Sequence, residues 1–276
     1  MKKKTNALVV IDLLFLLILA ASGSAADKRI GSVLYYAAFI IPIAMGISYA
    51  RSFAEELRSD AETADNDIRS PGIGLSKQGL IITLPLIAPT IAVICLISFL
   101  TGLLMSLFGY SNEFIPEGSF IYSVAINALI PSILEEMLFR YIPLSILKDN
   151  KRAAVLLSSA LFALAHANLF QMPYAFAAGL VFAAVCIMTG SILPSILIHF
   201  LNNLLSLAIS YGLAGTAFII IASAITLLSI IAILIMRKAY SEGIKELLRG
   251  ERIKIERSLI IFGGVSLFLA FTSLIL

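Results

Sequence analysis

Charged residues and cysteines are scarce in this sequence, and each scarcity excludes a class of protein. Only 13% of the 276 residues are charged, whereas 60% are apolar and the mean hydropathy is +1.00. Soluble domains average about 45–50% apolar residues, so this composition excludes a water-soluble globular protein and also a disordered chain. The two cysteines, Cys95 and Cys186, both lie in apolar runs, which excludes a disulfide-stapled secreted scaffold. An integral membrane protein remains, and no nucleic-acid motif is present.

Long apolar runs predict an all-α, polytopic bundle of transmembrane helices, in a single membrane domain over residues 1–276. A helix needs about 20 mainly apolar residues to cross the hydrocarbon core. Eight or nine segments meet this rule, because only very short uncharged breaks divide the runs between residues 153 and 211. We interpret the first run, which follows three lysines and ends in small residues as a signal peptide does, as a retained anchor. The predicted spans are about Ala7–Ala21, Ile30–Ala50, Gly79–Phe108, Ser119–Leu147, Ala153–Phe170, Tyr174–Met188, Ile192–Tyr211, Thr216–Met236 and Leu259–Leu276.

The distribution of basic residues predicts the orientation. Cytoplasmic loops of membrane proteins carry an excess of Lys and Arg. With nine spans and a cytoplasmic amino terminus, all but three of the 20 Lys and Arg residues lie in cytoplasmic segments. The exceptions are Lys28 and Arg29 in an outer loop and Arg140 within a span. We therefore predict a cytoplasmic amino terminus, and the cell (plasma) membrane as the compartment, because the sequence carries no organelle-targeting signal.

Few polar residues lie at membrane depth, and most of them fall in three of the predicted spans. An ionisable group costs several kcal/mol there, so it normally faces a partner or a water-filled cavity. Asp12, in the first span, lies near enough to the polar end to reach it, and we assign it no role. The other candidates are Glu135, Glu136 and Arg140 in the fourth span, His166 in the fifth, and His199 and Asn203 in the seventh.

The two adjacent glutamates are predicted to differ in their partners. Residues four apart are neighbours on a helix, and an acid four positions before a base is the favourable order, so Glu136 pairs with Arg140. Glu135 is rotated by about 100° from Glu136 and has Phe139 at the corresponding position. One carboxylate is therefore left without a local counter-charge and is a candidate general base, although a structural ion network would contain the same residues.

Three short motifs, in order along the chain, resemble a known family. They are typical of the type II CAAX prenyl endopeptidases and the related bacteriocin-processing and immunity proteins, which are intramembrane proteases. The resemblance places the motif-bearing catalytic core at about residues 119–205. The motifs are E-E-x-x-x-R from Glu135 to Arg140, F-x-x-x-H from Phe162 to His166, and H-x-x-x-N from His199 to Asn203.

The resemblance implies a peptidase that acts on a membrane-associated or lipidated peptide. By analogy, Glu135 activates a water for attack on the scissile carbonyl, and His166 holds or polarises that water. His199 and Asn203 bind the oxyanion, a role that needs donors fixed where negative charge develops. The implied partners are therefore the peptide substrate and membrane lipids.

The remaining motif residues are expected to support the site. Glu136 and Arg140 neutralise one another, and Phe162 packs so as to orient His166.

The cofactor is left open by the residues themselves. Glu135, His166 and His199 would make a zinc set, since two histidines, a glutamate and a water form a known catalytic arrangement. We favour no cofactor, because Asn203 is better suited to an oxyanion than to a metal, and zinc stays as the alternative.

Two other functions use the same residues. A membrane carrier would relay protons or bind metal ions with the buried Glu and His side chains. An immunity protein would bind a peptide without cutting it. Other protease chemistries are disfavoured, because the sequence has neither H-E-x-x-H nor G-x-S-x-G.

Overall fold

The structure is a computed structural model that describes residues 1–59, 71–74, 76–110, 118–248 and 256–275. Within these ranges the chain is mostly helical and contains no β-strand, which confirms the all-α prediction. The helices are α1 (Lys2–Gly23), α2 (Lys28–Ser59), α3 (Lys77–Ser106), α4 (Phe120–Ile146), α5 (Lys151–Ala165), α6 (Met172–Thr189), α7 (Leu193–Ser210), α8 (Thr216–Ile235), α9 (Arg237–Leu247) and α10 (Arg257–Ile275).

Seven of the described helices are long and apolar enough to cross a membrane, compared with the eight or nine predicted spans. The difference lies in α5 and α10, which occupy predicted spans but fall short of that length. With 15 residues, α5 is about 22 Å long, less than the hydrocarbon thickness of about 30 Å. The apolar part of α10 is also short, at Arg257–Thr272.

The fifth predicted span, Ala153–Phe170, ends earlier than its hydropathy indicates. Its helix stops at Ala165, and Ala167 then adopts a left-handed conformation with φ of 44°. The side chain of Asn168 accepts a hydrogen bond from the backbone N–H of Phe170 at 2.9 Å, which stabilises a turn instead of a further helical turn. The short break between α5 and α6 is half-buried and places His166 inside the bundle rather than at its end.

The segments that the nine-span topology assigns to one side of the membrane contact one another. The amino terminus, the α4–α5 turn, the segment before α3, the α6–α7 turn and the start of α10 share one end of the bundle. Hydrogen bonds of 2.6 to 2.8 Å join Lys4 to Asp149, Asn6 to Ser258 and Gly72 to Gly190.

At the opposite end of the bundle, a tyrosine connects the end of α7 to the start of α4. Tyr211, which follows α7, donates a hydrogen bond to the carbonyl of Gly118 at 2.9 Å and lies 2.8 Å from the hydroxyl of Ser123. Both of these partners lie at the start of α4. The start of α4 and the end of α7 therefore meet, so the two helices that carry most of the polar candidates run side by side in opposite directions.

Two π-helical turns interrupt α4, and each precedes a proline. The turns span Val124–Leu129 and Met137–Tyr141, and the α-helical segments that follow contain Pro131 and Pro143. Proline lacks an N–H and its ring clashes with the carbonyl four residues earlier, so the regular hydrogen-bond pattern cannot continue through it. The second π turn starts directly after Glu136. Such turns are frequent at functional sites because they change the direction of nearby side chains.

Close helix contacts fix the surroundings of α4. A Cβ atom on Gly46 of α2 would lie 2.5 Å from Cδ1 of Ile142, so only glycine permits this approach of α2 to α4. In the same way, a Cβ on Gly179 of α6 would lie 3.0 Å from the Cα of Ser159 in α5. The helices around α4 are thus held at short range by small residues.

Candidate active site

His199 lies between the two adjacent glutamates of α4. Its Nδ1 is 3.0 Å from Oε1 of Glu136, and its Nε2 is 3.6 Å from Oε2 of Glu135. The side chain of Glu136 is fully buried, whereas that of Glu135 is 19% exposed. The carboxylate without a helical counter-charge therefore has its partner on α7, and it is the one that reaches open space.

Arg140 forms the predicted pair with Glu136, at 3.4 Å between Nε and Oε2, and both side chains are completely buried. The guanidinium carbon lies 4.3 Å from the ring centre of Phe162 and 5.4 Å from that of Phe182. Such contacts contribute about 2 kcal/mol when they are desolvated. Among the described residues the guanidinium nitrogens have no hydrogen-bond partner. The buried cation is therefore stabilised by one carboxylate and two aromatic faces.

His166 is the first residue after α5 and has a fixed ring orientation. Its Nδ1 lies 2.7 Å from the carbonyl oxygen of Phe162. A carbonyl can only accept, so Nδ1 carries the hydrogen and the lone pair of the neutral ring is on Nε2. The ring of Phe162 meets His166 edge-on, with 4.8 Å between ring centres, and also contacts His199 at 5.8 Å. Phe162 therefore touches both histidines and the buried arginine.

Glu135 and His166 line the same cavity, whose volume is about 180 Å³. Three more lining residues, Phe139, Ala165 and Gln171, lie within five positions of Glu135 or His166 in the sequence. The other four come from α1 and α2, outside the motif-bearing segment. The full lining is Phe15, Leu19, Tyr35, Phe39, Glu135, Phe139, Ala165, His166 and Gln171.

Asn203 lies one helical turn beyond His199, beside α4. Its Nδ2 donates to the hydroxyl of Ser132 at 3.3 Å, and its Oδ1 accepts from the side chain of Asn202 at 3.4 Å. Ser132 is itself one turn before Glu136, so α4 and α7 are joined at two successive levels. The structure thus brings Glu135, His166 and His199 together, whereas Asn203 lies one turn further along α7 against Ser132, and neither His199 nor Asn203 lines the cavity itself.

Several residues at the site belong to no recognisable sequence motif. Phe182 stacks on His199, with ring centres 5.1 Å apart and planes 26° apart, and Ser132 holds Asn203. Both are ordinary residues for an apolar helix. The α1 and α2 residues offered a weak signal, because Phe15/Leu19 and Tyr35/Phe39 have the same four-residue spacing as Glu135/Phe139.

The candidate site matches a zinc centre in the type of its donors but not in their arrangement. The chemistry of the donors suits zinc, since the Nε2 atoms of His166 and His199 and the carboxylate of Glu135 are of the right type. In the part of the chain that the structure describes, however, no three His, Cys, Asp or Glu side chains are grouped closely enough to hold a metal ion. The reaction proposed below therefore uses the side chains of the protein and water alone.

Comparison with known proteins bears on the segment that carries this site. The family model described as type II CAAX prenyl endopeptidase Rce1-like matches residues 117–205. Neither a curated protein nor a solved structure matched the chain. The matched segment runs from just before α4 into α7 and contains every site residue predicted from the motifs. The resemblance to the type II CAAX prenyl endopeptidases is thereby confirmed over these residues, and it supports a CAAX-protease-like intramembrane endopeptidase.

Proposed function

We propose that this integral membrane protein is an endopeptidase in which Glu135 activates a water to hydrolyse a peptide bond of a membrane-associated or lipidated peptide. The observation that carries the proposal is the shared cavity of Glu135 and His166, with Nε2 of His199 3.6 Å from the same carboxylate. A carboxylate beside a space that can hold water, with imidazoles next to it, meets the geometric requirement for general-base hydrolysis.

The charge of the buried cluster supports a proton-transfer role. We call Glu135, Glu136, Arg140 and His199 the charge cluster. Two carboxylates and one guanidinium leave it with one net negative charge when His199 is neutral, and an unbalanced buried charge is costly. The cluster becomes neutral when one proton is held on His199 or Glu135, whose atoms face one another. With the proton on His199, Glu135 can accept a proton from water, as a general base must.

The proposed reaction starts with water held between Glu135 and Nε2 of His166. Glu135 takes one proton as the water oxygen attacks the scissile carbonyl carbon. The tetrahedral intermediate then collapses, the C–N bond breaks, and the proton passes from Glu135 to the leaving amine. The products are a carboxylic acid and an amine, and Glu135 returns to its starting state.

The oxyanion of the intermediate is assigned to donors from α7. His199 donates through Nε2 when it carries the cluster's proton, because Nδ1 is committed to Glu136. Asn203 has a second amide hydrogen, since Nδ2 gives only one to Ser132. Preset donors of this kind typically contribute about 10²–10³-fold each to the rate.

The test is cleavage of fluorogenic peptides, free and lipidated, by purified protein in liposomes. We expect the wild type to cut, Glu135→Gln to lose about 10²–10⁴-fold in kcat, and both to bind the peptide with similar affinity. Glu55→Gln, on the far part of α2, is the matched control and should keep full activity. A chelator should leave the rate unchanged.

Other outcomes would overturn the proposal. Cleavage by Glu135→Gln at the wild-type rate would remove the catalytic assignment. Peptide binding without cleavage by the wild type would indicate an immunity protein, and substrate-dependent ion flux without cleavage would indicate a carrier. Loss of activity with a chelator, restored by zinc, would favour a metalloendopeptidase.

We further propose that the amino terminus faces the cytoplasm and that the protein resides in the cell membrane. The supporting observation is that the segments richest in Lys and Arg share the end of the bundle where Lys4 contacts Asp149. Reporter fusions at the amino terminus and after Tyr211 test this. The first should report the cytoplasm and the second the outside, and the reverse would contradict the orientation.

A further inference from the structure

Three helices present matching pairs of residues to the catalytic cavity. Each pair is four residues apart, so its members lie on one helix face. The pairs are Phe15 and Leu19 on α1, Tyr35 and Phe39 on α2, and Glu135 and Phe139 on α4. The cavity is thus walled on one side by catalytic residues and on the other by helices outside the family-matched segment.

The aromatic part of this wall is tightly interlocked. The ring centre of Phe15 is 4.9 Å from that of Phe39 and 5.6 Å from that of Phe139, and Tyr35 is 5.6 Å from Phe39. Aromatic pairs at such distances contribute about 0.5–1.5 kcal/mol each beyond their burial. Phe15 and Phe39 are at most 4% exposed. The wall is therefore a preformed surface whose shape is held without a ligand.

We propose that this wall, with Leu19 at its edge, forms a specificity pocket for one apolar side chain of the substrate, next to the bond that is cut. The proposal rests on the proposed endopeptidase function. Glu135 and His166 lie in the same cavity, so a side chain seated against Phe15 and Tyr35 positions its own backbone beside the activated water. Such positioning converts binding energy into correct orientation of the reacting atoms.

The size of the cavity limits what the pocket can take. Its volume is about 180 Å³. An engineered apolar cavity of about 150 Å³ holds one benzene, so this space matches an isobutyl or phenyl group together with little else. Sites for drug-sized ligands occupy about 300–1,000 Å³. The walled space itself therefore fits one apolar peptide side chain.

The test measures side-chain preference with a library of peptides that vary at the positions flanking the cut. Leu19→Trp fills the pocket, and Leu19→Ala enlarges it. Leu17→Trp is the matched control, because Leu17 lies two residues away on α1 and is 68% exposed on the outer face. A single methylene changes specificity in an apolar pocket by about 10–200-fold.

We expect Leu19→Trp to lower kcat/KM for peptides with Leu or Phe at one flanking position by at least about tenfold. The loss should be smaller for peptides with Ala or Gly at that position, and every peptide should stay within about twofold with Leu17→Trp. Leu19→Ala should shift the preference toward Phe and Trp. Unchanged preference in both Leu19 variants, with normal cleavage, would overturn the pocket and leave the endopeptidase standing. Absence of cleavage in the wild type would instead overturn the proposed function and this pocket with it.

Discussion

The segment from α4 to α7 and the helix α8 differ in almost every respect that bears on chemistry. The first contains the charge cluster and both histidines, and 39% of the most apolar stretch of α6 is buried. The corresponding stretch of α8 is 6% buried and contains no charged residue. Both are apolar enough to cross a membrane. Hydropathy alone therefore identifies spans, whereas the buried polar groups distinguish the spans that carry the candidate site from those that do not.

A third group, α1 and α2, lies between these extremes. These helices have no recognisable motif and lie outside residues 117–205, yet their aromatic residues complete the cavity. The cavity of the candidate site is therefore lined by residues from outside the matched segment as well as from within it. Substitutions in the charge cluster, at Asn203, in the contact of α2 with α4 and in α8 should have effects that decrease in that order.

The largest effect is expected in the charge cluster. Arg140→Met removes the guanidinium beside Glu136 and leaves a fully buried carboxylate with only the imidazole of His199 as a partner for its charge. Breaking one partner of a buried pair costs about 3–5 kcal/mol. Thermal unfolding in detergent should show this loss. The double variant Glu136→Gln/Arg140→Met should be more stable than Arg140→Met alone, and equal stability of Arg140→Met and the wild type would contradict the cluster.

Asn203→Ala should lower kcat by about 10²–10³-fold with little change in KM, as expected for a donor used in the transition state. Asn203→Asp should lose as much, because a carboxylate has no hydrogen to donate. Asn202→Ala is the adjacent control and should stay within about tenfold, since its side chain contacts Asn203 only at 3.4 Å. A kinetic comparison of the three variants decides the role, and wild-type kcat in Asn203→Ala would remove it.

A smaller effect is expected where α2 contacts α4. Gly46→Val places a side chain against the buried Ile142, and overpacking of this kind costs about 1–3 kcal/mol. Gly102→Val is the control, because nothing lies within 4 Å of its would-be side chain in α3. Unfolding measurements should separate the two. An unaffected Gly46→Val variant would show that α2 does not need this close contact.

The smallest effect is expected in α8. Leu228 is 65% exposed on the lipid-facing surface, so Leu228→Ala should change stability by less than about 0.5 kcal/mol. Cleavage rates should equal those of the wild type. A loss of stability comparable to that of Gly46→Val would mean that the side chain of Leu228 makes packing contacts that the fold needs.

The predictability of the site follows from how unusual each residue is. Glu135, Glu136, Arg140, His166 and His199 are visible in the sequence because a polar group in an apolar run has a clear cost. The pair between Glu136 and Arg140 was predictable because helix geometry determines its spacing. The contact of each glutamate with His199 was not, since contact between α4 and α7 depends on packing.

The ends of the helices and the packing around the site were less predictable from the sequence. A helix of the structure occupies each predicted span, but two of these helices fall short of a membrane-crossing length. The fifth span was predicted to extend to Phe170 because Ala167 and Asn168 do not interrupt an apolar average. The turn there depends on a left-handed backbone and an asparagine side chain, which are local effects. The aromatic wall could not be assigned either, because phenylalanine and tyrosine are expected anywhere in a membrane helix.

The most direct test of the central role of Glu135 is a single turnover in H₂¹⁸O. If Glu135 activates water, the new carboxylate of the peptide product should carry ¹⁸O in the first turnover, and the Glu135 side chain should remain unlabelled. Mass spectrometry of the product and of a proteolytic fragment containing Glu135 measures both. An unlabelled first product with ¹⁸O on Glu135 would show direct attack by the carboxylate and would contradict the mechanism.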